Sequence, residues 1–124
     1  MKDGRIAVPS DGEGGMDGIR SGHFGHCDVF TIIELKDGRV ENVSILPNQE
    51  HSQGGCLVPV TLLADNRVNA IIAGGMGLRP LMGFNAAGID VYFDNQHAQV
   101  RSVIDELMNG NLEKMSEQMV CGGH

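Results

Sequence analysis

Tryptophan is absent from this chain, tyrosine occurs once and phenylalanine four times, so there is no array of aromatic faces on which nucleic-acid bases could stack. Cations are also scarce. Nine Lys and Arg stand against sixteen Asp and Glu, for a formal net charge of -7, and the nine are dispersed singly. That disfavours nucleic acid or an anionic membrane as a partner, because binding either relies on clustered cations that displace counterions. No apolar run approaches the ~20 residues that span a bilayer, and Met1-Lys2-Asp3-Gly4-Arg5 lacks the apolar stretch of a secretory signal. A cytoplasmic protein is expected. The sequence contains no Gly-x-Ser-x-Gly elbow, no His-Glu-x-x-His pair and no Gly-Lys-Ser/Thr phosphate loop. It also contains no Cys-x-x-Cys, so structural zinc held by two tight ligand pairs is only weakly signalled. No internal repeat is present.

What the chain does have is a grouping of soft ligands. All three cysteines and four of the five histidines fall in three short glycine-bearing segments: Ser21-Gly22-His23-Phe24-Gly25-His26-Cys27, His51-Ser52-Gln53-Gly54-Gly55-Cys56 and Cys121-Gly122-Gly123-His124. Thiolate and imidazole are the protein ligands of soft and borderline metals, and glycine lets backbone approach a bulky inorganic group. A reducing cytosol would keep three cysteines as thiols. A metal or metal-cluster site is therefore the leading hypothesis.

The 124 residues suit one domain. Arg5 to Pro9 reads as a buried strand that runs into a glycine-rich loop reaching Gly25. Val29 to Leu35 and Val40 to Leu46 are β-rich runs separated by Lys36-Asp37-Gly38-Arg39, a hairpin signal. Leu57 to Asp65 comes next as a helix with Pro59 in its first turn. The pattern then alternates: strand Ala70 to Ala73, helix Leu78 to Ala87, strand Ile89 to Phe93, helix Ala98 to Met108. In the last helix Val100, Val103, Ile104, Leu107 and Met108 form one apolar stripe, and Gly110 sits at the cap position. The order β-β-β-α-β-α-β-α predicts an α/β, ribonuclease H-like, three-layer fold around a mixed five-stranded sheet. Residues 1–110 form the single domain in this reading, and 111–124 a flexible C-terminal tail.

Each candidate has a plainer reading beside it. His23, His26 and Cys27 lie where a loop meets a strand, a place where open α/β sheets collect ligands, yet Cys27 is equally well read as a small buried hydrophobe. Cys56 precedes a helix, where the dipole favours thiolate, and His51 lies close by, although an ordinary helix-start loop would look the same. Cys121 and His124 have a Cys-x-x-His spacing that can grip one metal, but on a terminal segment that reads equally as disordered. Gly74-Gly75-Met76-Gly77 follows a strand and opens a helix, which presents backbone N–H groups to an anion. Alternatively, its glycines only make a tight turn. Pro80 stands where a dinucleotide fingerprint needs its third glycine. A ribonuclease H-like nuclease would need carboxylates from neighbouring strands, and Asp11 alone cannot supply them.

Taken together, these motifs resemble the dinitrogenase iron-molybdenum cofactor biosynthesis family, which includes cofactor carriers and orange proteins. The resemblance covers Arg5 to Leu112. It rests on Ile6-Ala7-Val8-Pro9, His23-Phe24-Gly25 leading to Phe30, Gly54-Gly55-Cys56 at a helix start, Gly74-Gly75-Met76-Gly77, Ala87-Gly88-Ile89 and the closing Asn109-Gly110. It implies a ribonuclease H-like fold and the binding, storage or delivery of a metal-sulfur cluster containing iron, molybdenum or copper, without catalysis by this chain. Carried onto this sequence, the cluster-facing candidates are His23, Gly25, His26, Cys27, His51, Gly54, Gly55, Cys56 and the turn glycines Gly74, Gly75 and Gly77, with Cys121 and His124 as the candidates of the tail. The alternative is a regulatory or interaction module for a cluster-assembly or ATPase partner, its Cys and His residues incidental or holding zinc. A small enzyme using zinc-bound water is a third reading.

Overall fold

A computed structural model describes residues 3–22, 26–48 and 57–116. The chain builds a mixed sheet from β1 (Gly4–Asp11), β2 (Ile19–Arg20), β3 (Val29–Lys36), β4 (Arg39–Pro47), β5 (Ala70–Ala73), β6 (Asp90–Phe93) and β7 (Glu113–Lys114). Among the described residues three helices, α1 (Leu57–Asp65), α2 (Leu78–Ala86) and α3 (Val100–Met108), connect or succeed its later strands. The sheet order is β4-β3-β1-β5-β6-β7, with β2 paired to β1. The β1–β5 and β5–β6 pairs are parallel, and β1–β3, β3–β4 and β6–β7 are antiparallel.

Side-chain alternation along the strands divides the interior into two layers. Ala7, Phe30, Ile32, Ile71 and Val91 pack with Val60 and Leu63 of α1 and Leu81 and Phe84 of α2. Ile6, Val8, Ile33, Ala70 and Ile72 pack with Val100, Val103, Ile104 and Leu107, the stripe expected on α3. The helices thus cover both faces, and the short buried strand β5 is apolar on both sides because each face meets a helix layer.

The β3–β4 turn forms as Asp37-Gly38 predicts. Both residues have positive φ, 54° and 75°, the combination a two-residue hairpin of this twist requires. The structure differs from the expectation in strand number: seven among the described residues rather than five. The two additions, β2 and β7, are two residues each, too short for alternation to mark them. β2 is held by pairing of Ser10 with Arg20 and Asp11 with Ile19. β7 pairs with β6 through Tyr92–Lys114 and Phe93–Glu113, and the Met115 N–H donates to the Val91 carbonyl at 2.7 Å. Met115 is buried. The folded body therefore continues past the boundary drawn at 110, and residues 117–124 lie outside the described residues.

The edge strand β4 carries a bulge. Glu34 pairs with Asn42 and Leu35 with Val40, leaving Glu41 as the extra residue. The insertion brings Val40 onto the same face as Val43 and Ile45. Val40 and Ile45 are 36% and 43% exposed, so this edge presents a short apolar stripe.

Candidate functional site

Because β1, β5 and β6 run parallel, their carboxyl ends meet one edge of the sheet. β3 begins at that edge and β4 ends there, as the pairings Ser10–Val29 and Val29–Pro47 show. The edge gathers the loop after β1, the approach to β3 at His26 and Cys27, Asn48 after β4, the Gly74–Gly77 turn and the segment from Asp94 to Gln99. Open α/β sheets place ligands at such an edge. His23, Gly25, His51, Gly54, Gly55, Cys56, Cys121 and His124 lie outside the described residues.

His26 is exposed, whereas Cys27 is buried at 4% exposure and belongs to the layer beneath α1 and α2. Burial pushes the Cys27 thiol up from its ordinary 9.0 to about 11, against smaller lowering contributions from backbone hydrogen bonds and Asn48. The Asn48 amide donates to the Cys27 carbonyl at 3.0 Å and approaches Sγ at 3.5 Å, tying the end of β4 to the start of β3. Its Oδ1 is buried with no hydrogen-bond partner among the described residues, an open acceptor beside the thiol.

The glycine loop after β1 folds back across the sheet. Ser10 Oγ lies 2.8 Å from Thr31 Oγ1, and the Gly15 N–H donates to the same Thr31 oxygen at 3.0 Å. A Cβ on Gly14 would stand 2.8 Å from Thr31 Oγ1 and from Val29 Cγ2. Only glycine lets the loop lie this close to β3.

A cluster of charged residues at the same edge escaped the sequence reading. Asp94, 4% exposed at its side chain, lies just after β6; its Oδ1 is 2.8 Å from His97 Nδ1 and its Oδ2 accepts the His97 N–H at 3.1 Å. Arg20, 9% exposed, brings Nε to 3.6 Å from Asp94 Oδ2 and donates Nε–H to the His97 carbonyl at 2.8 Å. On its other side His97 borders a cleft of about 330 Å³ shared with Glu106 and Glu113. The available signals were a carboxylate directly after an apolar strand and the one histidine not grouped with a cysteine. Arg20 gives no such signal, because its partners lie more than seventy residues away.

Among the described residues, no three His, Cys, Asp or Glu side chains converge as a cage for a single metal ion. The edge instead offers dispersed donors: an imidazole at His26, a protonated thiol at Cys27, an amide oxygen at Asn48 and backbone at the Gly74–Gly77 turn. This pattern suits a large ligand touched at several points better than one bare ion.

Known proteins resemble this chain along nearly its whole length. Residues 4–110 match the family model described as dinitrogenase iron-molybdenum cofactor. An uncharacterized protein of Methanocaldococcus jannaschii is 33% identical over 112 residues, covering 89% of this chain and 90% of that protein. The apo form of the orange protein from Desulfovibrio gigas superposes with a TM-score of 0.80 at 25% identity, covering 92% of this chain and 94% of the other. A candidate NifB protein from Thermotoga superposes with a TM-score of 0.71 at 28% identity over 90% of this chain and 92% of its own.

Proposed function

Since the chain belongs to the dinitrogenase iron-molybdenum cofactor family, we propose that it binds, stores or delivers a metal-sulfur cluster at the carboxyl edge of its sheet. The cluster is cargo, and the chain does no chemistry of its own on it. The observation that carries this reading is the convergence of His26, Cys27, Asn48 and the Gly74–Gly77 turn on one sheet edge. In this assignment Cys27 and Cys56 supply thiolates. His23, His26 and His51 supply imidazoles or donors behind the ligands, while Gly25, Gly54, Gly55, Gly74, Gly75 and Gly77 give close access and N–H contacts to sulfide. Cys121 and His124 are further ligand candidates. Iron, molybdenum and copper all suit such donors, and zinc is the alternative metal. The strand order, three antiparallel strands and then two parallel strands with crossover helices, supports a ribonuclease H-like fold, and we place the protein in the cytoplasm.

A ligand at Cys27 must displace a proton that burial retains, so loading releases protons and strengthens with pH. Reconstitution under anaerobic conditions with cluster precursors tests the assignment. Stoichiometric metal in the wild type and loss of most of it in the Cys27→Ser, Cys56→Ser double variant is the expected outcome. Undiminished stoichiometry in that variant contradicts it.

One observation favours a second reading, a docking module for a cluster-assembly or ATPase partner: the half-exposed stripe of Val40, Val43 and Ile45 on the edge strand β4. A protein that keeps such a partner after its metal is stripped, and loses it on Ile45→Lys, would support this reading over the carrier.

A further inference from the structure

Arg20 is nine-tenths buried, yet its hydrogen bonding within the described residues involves one side-chain nitrogen. Nε–H donates to the His97 carbonyl at 2.8 Å and lies 3.6 Å from Asp94 Oδ2. The two amino nitrogens, with four N–H donors, make no hydrogen bond to the described residues. Nη1 lies 3.1 Å from where a Cβ on Gly74 would stand, so the guanidinium rests on the bare face of the first glycine in the Gly74–Gly77 turn.

Its orientation is fixed from behind. Asp94 is engaged through both oxygens, Oδ1 with the His97 ring and Oδ2 with the His97 N–H, and it holds the Nε edge of Arg20. The Arg20 backbone N–H donates to the Ala98 carbonyl at 2.7 Å, fixing β2 to the same loop. The outer fork is thus left toward the turn from which α2 starts, and α2 begins at Gly77 without a side-chain cap. Unmatched N–H donors of a guanidinium and of a helix start, both at one sheet edge, form an environment for negative charge. On a chain of net charge -7, an anion needs such local donors to be held at all.

We propose that Arg20 is the anion-recognising residue of the carboxyl edge, and that with the Gly74–Gly77 turn it selects a dianionic occupant of the tetrahedral oxo- or thiometallate type. This rests on the carrier reading only for the identity of the cargo. Asp94 and His97 are positioning residues in this device, holding the guanidinium without touching the occupant.

The test is a titration of the whole chain with molybdate and, separately, tetrathiomolybdate, read through the amide chemical shifts of Gly74, Gly75 and Gly77. The expected result is saturable shifts at the turn with both dianions, and an affinity at least tenfold lower in the double variant Arg20→Met, Asp94→Asn. That variant removes both buried charges together, so neither is stranded. Gly74→Ala provides a second variant that keeps every charge; its methyl group meets Nη1, and the same loss of affinity is expected. Wild-type affinity in both variants, or no saturable shift at the turn in the wild type, overturns the proposal. If molybdate saturates the turn while anaerobically purified protein never holds a metal-sulfur cluster, the anion site stands and the carrier reading falls.

Discussion

Cys27 shows how the fold sets the state of a side chain that the sequence presents only as a soft donor or a small buried hydrophobe. A cysteine between a histidine and a strand suggests a ligand, but the fold places its sulfur beneath α1 and α2, where water does not stabilise a thiolate. The proton therefore stays on until about pH 11 rather than 9.0. Below pH 9 the thiol is neutral whether the chain is folded or unfolded, and burial carries no penalty. Between about 9 and 11 the unfolded chain releases this proton and the folded chain keeps it, so stability falls as pH rises through that window. Cys27→Ala is expected to flatten this part of a stability-against-pH curve measured by urea unfolding. Mapping alkylated peptides at about pH 8 gives a direct check: Cys27 should react much more slowly in native than in urea-unfolded protein. Equal rates would contradict its burial.

Among the elements, the ones readable in advance have a period or a punctuation mark that local physics enforces. The α3 stripe repeats at helical spacing because one side of a helix faces the sheet, and Asp37-Gly38 marks its turn because both positions take positive φ. β2 and β7 have neither, since two residues cannot display a period; they exist because the carboxyl end of β1 extends past its pairing with β5 and because β6 has an open outer edge. The tail reading from 111 missed β7 for that reason. Ile104 illustrates what the α3 stripe contributes. It is fully buried among the side chains of β1, β3 and β5, and Ile104→Ala should cost about 2–5 kcal/mol of unfolding free energy in a denaturant titration. A loss below about 1 kcal/mol would mean α3 does not pack on the sheet as described.

At the scale of the whole molecule, topology rather than sequence proximity assembles the candidate site. Three parallel strands deliver their carboxyl ends to one edge, so the loop after β1, the approach to β3, the Gly74–Gly77 turn and the Asp94–His97 segment converge although they are far apart along the chain. The glycine turn and His26-Cys27 were legible because glycine and cysteine are distinctive at the ends of strands. The Arg20–Asp94–His97 cluster was not, because an arginine, an aspartate and a histidine carry no spacing signal until the chain is folded. On the proposed reading, the same convergence would let a small acidic protein present metal donors and anion donors to one cargo. The most direct test of that claim is metal analysis with a visible absorption spectrum on protein purified without oxygen and then offered cluster precursors. Charge-transfer bands with stoichiometric iron, molybdenum or copper are the predicted result, and a protein that stays colourless and metal-free after reconstitution would contradict the account.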